Sequence, residues 1–405
     1  MKICLLSYRG NPYCGGQGVY LYFLSRELAA MGHSVTILTG PPQPWPMPWA
    51  ETIPVESLNL WGVRAKFISH ALPRRIFRPL NFFEFSATRF GFFPEMLIFS
   101  IRAFRMVKQI FPGRAFHLFH DVQSLGYGLL LLKGFKRPFV TTVHHPLTVD
   151  FQHSLERDRN FREKYYTVVF YPVGMQRRVI RRVDRVVTSS METAREIRRA
   201  FGVGEKRIRN VGNGLDTDFF RPGKKTRSQT RLLFVGNTDD PKKGVLYLFR
   251  AMAMLPRDIT LTVVDEGTKT YAPGLVRSLG LNGRVEFTGK ISPEDLRDRY
   301  RTARLTVVPS LYEGFGLPAA ESMACGTPVV ATRAGALPEV VGEDGTGVLV
   351  PPRDPEALAR GISRLLECGA DALEKIAAAG RQRVDSLFSW RAVAGRTVEV
   401  YNELI

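Results

Sequence analysis

Cysteine is scarce in this chain, with four in 405 residues at positions 4, 14, 325 and 368. Their spacing pairs no metal ligands, and they are too few to staple a small secreted fold. A disulfide framework is therefore excluded and a reducing, cytoplasmic setting is expected. Long apolar runs are missing too. Residues 28–50 carry no Lys, Arg, Asp or Glu, but Pro41, Pro42, Pro44, Pro46 and Pro48 stop that stretch from crossing a bilayer as a helix. The opening Met1–Arg9 segment has too short an apolar run for an export signal and reads as a buried strand. Membrane contact is expected to be peripheral at most, on the inner face of the cytoplasmic membrane. Acidic side chains are also in short supply, 38 Asp+Glu against 57 Lys+Arg, which leaves a net charge of +19. With 44% hydrophobic and 23% charged residues, a largely disordered or collagen-like chain is excluded. The length suits two or three domains of about 100–200 residues.

The acid shortage is uneven. Residues 1–210 hold 31 basic and 14 acidic side chains, whereas residues 211–405 hold 26 and 24. Nearly the whole excess falls in the first half, which points to an anionic partner there: nucleic acid, anionic lipid or a phosphorylated substrate. Residues 61–115 concentrate it, with ten basic and two acidic residues among Phe82, Phe83, Phe85, Phe90, Phe92 and Phe93. One reading is a helical hairpin whose phenylalanines pack inward and whose arginines are solvated. The other is an amphipathic surface for an anionic membrane or a lipid-linked acceptor. Arg177-Arg178-Val179-Ile180-Arg181-Arg182 forms a second basic cluster.

Short β-rich runs alternate with helical patterns throughout, as in parallel α/β domains. In the first half the strands are predicted at Ile3–Ser7, Val35–Thr39, Leu118–His120, Phe139–Val143 and Arg185–Thr188, with a helix over Val19–Met31 closed by Gly32. The second half repeats the plan at Leu232–Val235, Thr260–Val264, Val285–Phe287, Leu305–Val308, Val329–Ala331 and Gly347–Val350. Ser292-Pro293-Glu294-Asp295 and Asp354-Pro355-Glu356 read as helix starts. A polar, breaker-rich linker is predicted over 221–230. The expected division is an acceptor-side domain at 1–210, a donor-binding domain at 211–385 and a returning helix at 386–405.

The most chemical stretch is Glu313-Gly314-Phe315-Gly316-Leu317-Pro318-Ala319-Ala320-Glu321, directly after a predicted strand. A glycine-rich loop opening into a helix aims free N–H groups and the positive helix end outward, suited to a diphosphate. Two carboxylates frame it, and carboxylates hold sugar or ribose hydroxyl pairs well. This motif resembles that of the nucleotide-sugar glycosyltransferases of family 4, whose GT-B architecture pairs two Rossmann-like doubly wound domains facing a central cleft. The resemblance runs along nearly the whole chain: Gly15-Gly16-Gln17-Gly18, Thr142-Val143-His144, Asn213-Gly214-Leu215-Asp216, Gly236 to Gly244, and Phe388-Ser389-Trp390.

Carried over residue by residue, the resemblance implies that Glu313 faces the donor sugar near the reacting carbon and Glu321 holds the ribose hydroxyls. The backbone of Gly314, Phe315, Gly316 and Leu317 would line the sugar and diphosphate. Lys243 would neutralise the diphosphate leaving group, in place of a metal. Gly16 and Gln17 would let the first domain's helix start close to the sugar-phosphate. Lys290 and Ile291 would meet the base, and His144 would hydrogen-bond the donor sugar or orient the acceptor. One departure stands out. Asn237 occupies the place of the arginine that usually follows the first glycine of the phosphate loop, so a charge is lost there. Val264-Asp265-Glu266-Gly267 also lacks the family's usual glycine before the acid. Asp216-Thr217-Asp218 matches a metal-binding pattern but sits in a turn context, so no metal site is expected.

The implied activity is transfer of a sugar from a nucleotide diphosphate sugar, with retention of configuration and without a cofactor. The acceptor would be a glycan, lipid-linked or small hydroxyl compound, with an anionic membrane surface as a further partner and no nucleic acid. Two competing readings are a non-catalytic nucleotide-sugar-binding relative, motivated by Asn237, and a basic nucleic-acid-binding protein. The latter leaves the paired glutamates unexplained.

Overall fold

Runs of β-branched and aromatic residues bounded by turn formers build two separate parallel sheets in the computed structural model, which describes residues 1–10, 16–42, 44–60, 76–265 and 271–405. Gly15, Cys14, the 61–75 part of the basic aromatic segment and the Glu266-Gly267 step lie outside the described residues. The chain divides into two units. The first comprises Met1–Ser189, Thr193–Val211 and Ala394–Ile405; the second comprises Ser190–Glu192 and Gly212–Val393.

In the first unit, seven parallel strands are found among the described residues: β1 (Lys2–Ser7), β2 (Ser34–Thr39), β3 (Glu51–Pro54), β4 (Leu118–Val122), β5 (Phe139–Val143), β6 (Arg185–Thr188) and β7 (Ile208–Asn210). Their order is β3-β2-β1-β4-β5-β6-β7. Sequence periodicity finds the five central strands and misses β3 and β7. Those two are short edge strands whose residues are mostly half-exposed, so they lack the buried run that marks the others. Helix Gly16–Ala30 buries Leu21, Leu24 and Leu28 along one face and stops before Gly32, whose φ of +82° only glycine adopts freely. The core runs from Leu6, Leu38 and Phe119 through Phe139 and Val186 to the helices covering them.

Within the basic aromatic segment, helices span Pro79–Arg89 and Glu95–Arg114. Its phenylalanines divide between two fates. Phe93 turns inward, 6.3 Å from the Tyr8 ring and 5.4 Å from the Phe170 ring. Phe77, Phe82, Phe83, Phe90 and Phe92 are exposed, and so is Phe161 on the neighbouring helix Phe161–Phe170. The hairpin therefore does not hide its aromatics. Glu84 is buried and paired with Arg102 at 3.0 Å, so one of the two acids serves the segment's own packing. Among the described residues no helix is long and apolar enough to cross a membrane.

The second unit holds six parallel strands among the described residues: β8 (Arg231–Val235), β9 (Thr260–Val264), β10 (Val285–Phe287), β11 (Leu305–Val308), β12 (Val329–Thr332) and β13 (Val348–Val350). Their order is β10-β9-β8-β11-β12-β13, so chain direction across the sheet switches between β8 and β11. Helix starts appear where the sequence signals them: Ser292 Oγ accepts from Asp295 N at 3.0 Å, and Asp354 Oδ1 accepts from Ala357 N at 2.8 Å. Leu358, Ile362 and Leu365 form the buried face of helix Pro355–Leu366.

Candidate active site

Doubly wound sheets place ligands outside the carboxyl ends of the strands where the order switches. In the second unit that point lies just beyond β8 and β11. Gly236 follows β8 with φ +153° and donates its N–H to Val264 at 3.1 Å. The chain then turns through Asn237, whose Oδ1 accepts from Asp239 N at 2.9 Å, and Thr238, which donates from both its backbone and its hydroxyl to Asp265. Asn237 thus caps its own turn, and Asp265, a residue given no role by the sequence, anchors the loop from β9. A one-turn 3-10 helix, Pro241–Lys243, is capped by Asp240 and ends at Gly244 in the left-handed region. A Cβ at Gly244 would run into the Pro309 carbonyl oxygen, and Leu311 N donates to Lys242 O at 2.6 Å. The loops after β8 and β11 are therefore stitched together.

This stitching brings Lys243 and Glu313 into contact. Lys243 Nζ donates to Glu313 Oε1 at 2.7 Å, and Ser310 Oγ donates to the same oxygen at 2.8 Å. Glu313 is buried and Lys243 half-buried, so the ion pair sits at the rim of the site with its charges only partly hydrated. Ser310 was not singled out by the sequence; its position three residues before Glu313, at the strand end, was the available signal. Gly316 (φ +100°) caps helix Leu317–Ala324 with no side chain on the first N–H groups, Pro318 lies in its first turn, and Leu317 is exposed. Phe315 turns down into the core, 5.2 Å from the Phe388 ring, and pins the loop between Gly314 and Gly316. The N–H groups of the Gly314–Leu317 loop, the start of this helix and the Lys243 ammonium held at Glu313 together suit a diphosphate.

Glu321 lies one turn further in. Its Oε2 accepts from the Tyr300 hydroxyl at 2.8 Å, and burial raises its carboxyl to about 7. Tyr300, wholly buried, gave no signal in the sequence as a partner for it. Ile291 packs against the small cluster that holds Tyr300 and Val264, whereas Lys290 is exposed. Asp216 Oδ1 accepts from Asp218 N at 3.2 Å and Phe219 N at 3.1 Å, which makes it a turn former.

In the first unit, His144 follows β5. Its backbone N–H donates to Gln123 Oε1 at 2.7 Å, and its carbonyl accepts from Ser189. The ring lies edge-on to Tyr20 at 4.5 Å, and its buried Nε2 has no hydrogen-bond partner among the described residues. Burial lowers the imidazole to about 4, so it is neutral at pH 7. Beneath it runs a chain the sequence did not reveal: Tyr20 Oη to Thr142 Oγ1 at 3.2 Å, Thr142 to His120 Nε2 at 2.7 Å, and His120 Nδ1 to Tyr401 Oη. Gly16 and Gln17 open helix Gly16–Ala30, Gly16 exposed with no described residue near its missing side chain and Gln17 bonded to the Tyr8 hydroxyl.

Two doubly wound parallel units, with a glycine loop, a lysine and two glutamates at the switch point of one, define a transferase of the GT-B architecture. Sequence comparison then makes the assignment specific: residues 14–219 match Glycosyltransferase Family 4, and residues 216–383 match Glycosyl transferases group 1. The chain is 39% identical over its full length to the MMP alpha-(1->4)-mannosyltransferase of Mycolicibacterium hassiacum, of which 98% is covered. It is 30% identical to a D-inositol 3-phosphate glycosyltransferase of Streptosporangium roseum, over 97% of this chain and 89% of that one. Among solved structures, sucrose-phosphate synthase from Thermosynechococcus elongatus superposes with a TM-score of 0.72 at 26% identity, covering 100% of this chain and 99% of that one. The chain belongs to glycosyltransferase family 4, and it is a glycosyltransferase.

Proposed function

We propose that the protein transfers mannose from a nucleotide diphosphate sugar to a sugar hydroxyl, with retention of configuration and without a metal. The ion pair of Lys243 with Glu313, set at the start of a free helix end, is the observation that carries this reading. The 39% identity to a mannosyltransferase supports the choice of sugar. In the reaction Lys243 swings from Glu313 to the departing diphosphate and offsets the negative charge that develops there, while the backbone N–H groups of Gly314, Phe315, Gly316 and Leu317 hold the phosphate oxygens. Glu313 then faces the sugar, and Glu321 takes the ribose hydroxyls. The leaving phosphate oxygen accepts the acceptor's proton on the face it departs from, so no covalent nucleophile is needed. His144, neutral and with Nε2 unpartnered, orients a sugar hydroxyl by hydrogen bonding and exchanges no proton near pH 7.

A panel of UDP-, GDP- and ADP-mannose and the matching glucose donors, with a short mannoside acceptor, tests this reading. The expected result is a product cleaved by an α-mannosidase and formed from one mannose nucleotide. Transfer of glucose alone, or a β-linked product, would overturn it.

For the acceptor we propose presentation at an anionic membrane face, supported by the exposed Phe77, Phe82, Phe83, Phe90 and Phe92 within a basic segment. Co-sedimentation with anionic but not neutral vesicles is expected; equal binding to both, or none, would contradict it.

A further inference from the structure

The second unit is almost neutral overall, yet one of its cavities is strongly basic. A cavity of about 720 Å³ is lined by Lys225, Arg227, Arg301, Arg304 and Arg381, against two carboxylates, Glu374 and Asp385. It lies at the opposite end of the strands from Lys243 and Glu313. Arg227 precedes β8, Arg304 immediately precedes β11 and Gly326 precedes β12, so the cavity sits at the strands' amino ends, whereas the donor loops leave their carboxyl ends.

Most of these cations have a structural task. Arg381 binds Asp385 and the carbonyls of Thr217, Phe220 and Ala324. Lys225 and Arg301 share Asp298 at 2.6 and 3.1 Å. Arg304 reaches Gln229 Oε1 at 2.9 Å and two carbonyls near the end of helix Pro355–Leu366. Arg227 is different. Among the described residues it gives one Nη to the Gly326 carbonyl and forms no ion pair, and its buried Nε, like that of Arg304, has no hydrogen-bond partner. Burial and the neighbouring Arg304 charge pull the Arg227 guanidinium below its ordinary value, and the exposed Glu374 opposes them. Two guanidiniums that line one cavity, neither ion-paired with a carboxylate among the described residues, repel each other, and a bound dianion would relieve that repulsion.

We propose that this cavity is a second anion site, which takes a small phosphate monoester and is separate from the donor site. A guanidinium presents planar donors that match a phosphate, and the volume exceeds what the phosphate alone needs, leaving room for an attached sugar. The site does not depend on which sugar the enzyme transfers.

Thermal melting of the full chain with glucose 6-phosphate, against sodium chloride at equal ionic strength, tests the site. The probe is expected to raise Tm by about 2 °C at ten times its Kd in the unmodified protein. The same rise is expected in Lys243→Gln, where donor phosphate binding is impaired. It should vanish in Arg227→Gln and grow in Glu374→Gln, which removes the opposing charge. No rise in the unmodified protein, a rise unchanged in Arg227→Gln, or a rise lost in Lys243→Gln would overturn the proposal.

Discussion

Glu313 and Glu321 lie on one loop and helix but meet different surroundings, and their chemistry follows from that. Glu313 is matched by a lysine and a serine hydroxyl, whereas Glu321 has only the buried Tyr300 hydroxyl and its carboxyl rises to about 7. A carboxyl raised on folding binds its proton more tightly in the native state than in the unfolded chain. The ligand-free protein should therefore lose stability as pH rises from about 4.5 to 7, by on the order of 1–3 kcal/mol. Glu321→Gln should flatten that slope, which urea melts at several pH values would register. Ribose hydroxyls bind the ionised carboxylate better, so donor affinity should rise between pH 6 and 8, and Glu321→Gln should abolish the rise. Calorimetric titration of the donor checks it. His144 gives a contrasting expectation: with its imidazole lowered to about 4, no step in activity between pH 6 and 8 should disappear in His144→Gln, although kcat should fall about tenfold or more.

At the scale of elements, the loops after β8 and β11 are held by glycine geometry as well as by side chains such as Asp265 and Phe315. Gly244 combines a φ of +67° with close approach to the Pro309 carbonyl. Gly244→Ala should cost roughly 2 kcal/mol or more in stability and shift Lys243 away from Glu313, seen as a lower melting midpoint together with weaker donor binding. Much of this level is legible in the sequence, because β-branched runs such as Leu305–Val308 and starts such as Ser292-Pro293 carry local signals. Edge strands β3 and β7 are not legible, since half-exposed residues there need no apolar run. Partners fixed by tertiary packing escape for a different reason, since no local pattern joins residues from separate elements. Tyr300 meets Glu321 from a different helix, and His120 meets Tyr401 across 281 positions of chain. The aromatic segment is a mixed case. Its helices and its composition are readable, but only the fold separates inward Phe93 from outward Phe90.

At the scale of the whole molecule, charge is partitioned by task. The first 210 residues carry the basic excess and the remainder is close to balanced, with Lys243 beside Glu313 at the strands' carboxyl ends and a basic cavity at their amino ends. Asn237 fits this economy of charge, since it caps its own turn and leaves Lys243 as the cation in contact with Glu313. What the sequence motifs leave open is the acceptor, because acceptor recognition resides in surface residues with no fixed pattern. The central claim is that Glu313, held by Lys243 and Ser310, works on the donor sugar. The most direct test is the rate of sugar transfer by Glu313→Ala, beside its melting curve. A loss of about 10²–10³-fold or more with an essentially unchanged melting curve is predicted. Full activity in the folded variant would contradict the account.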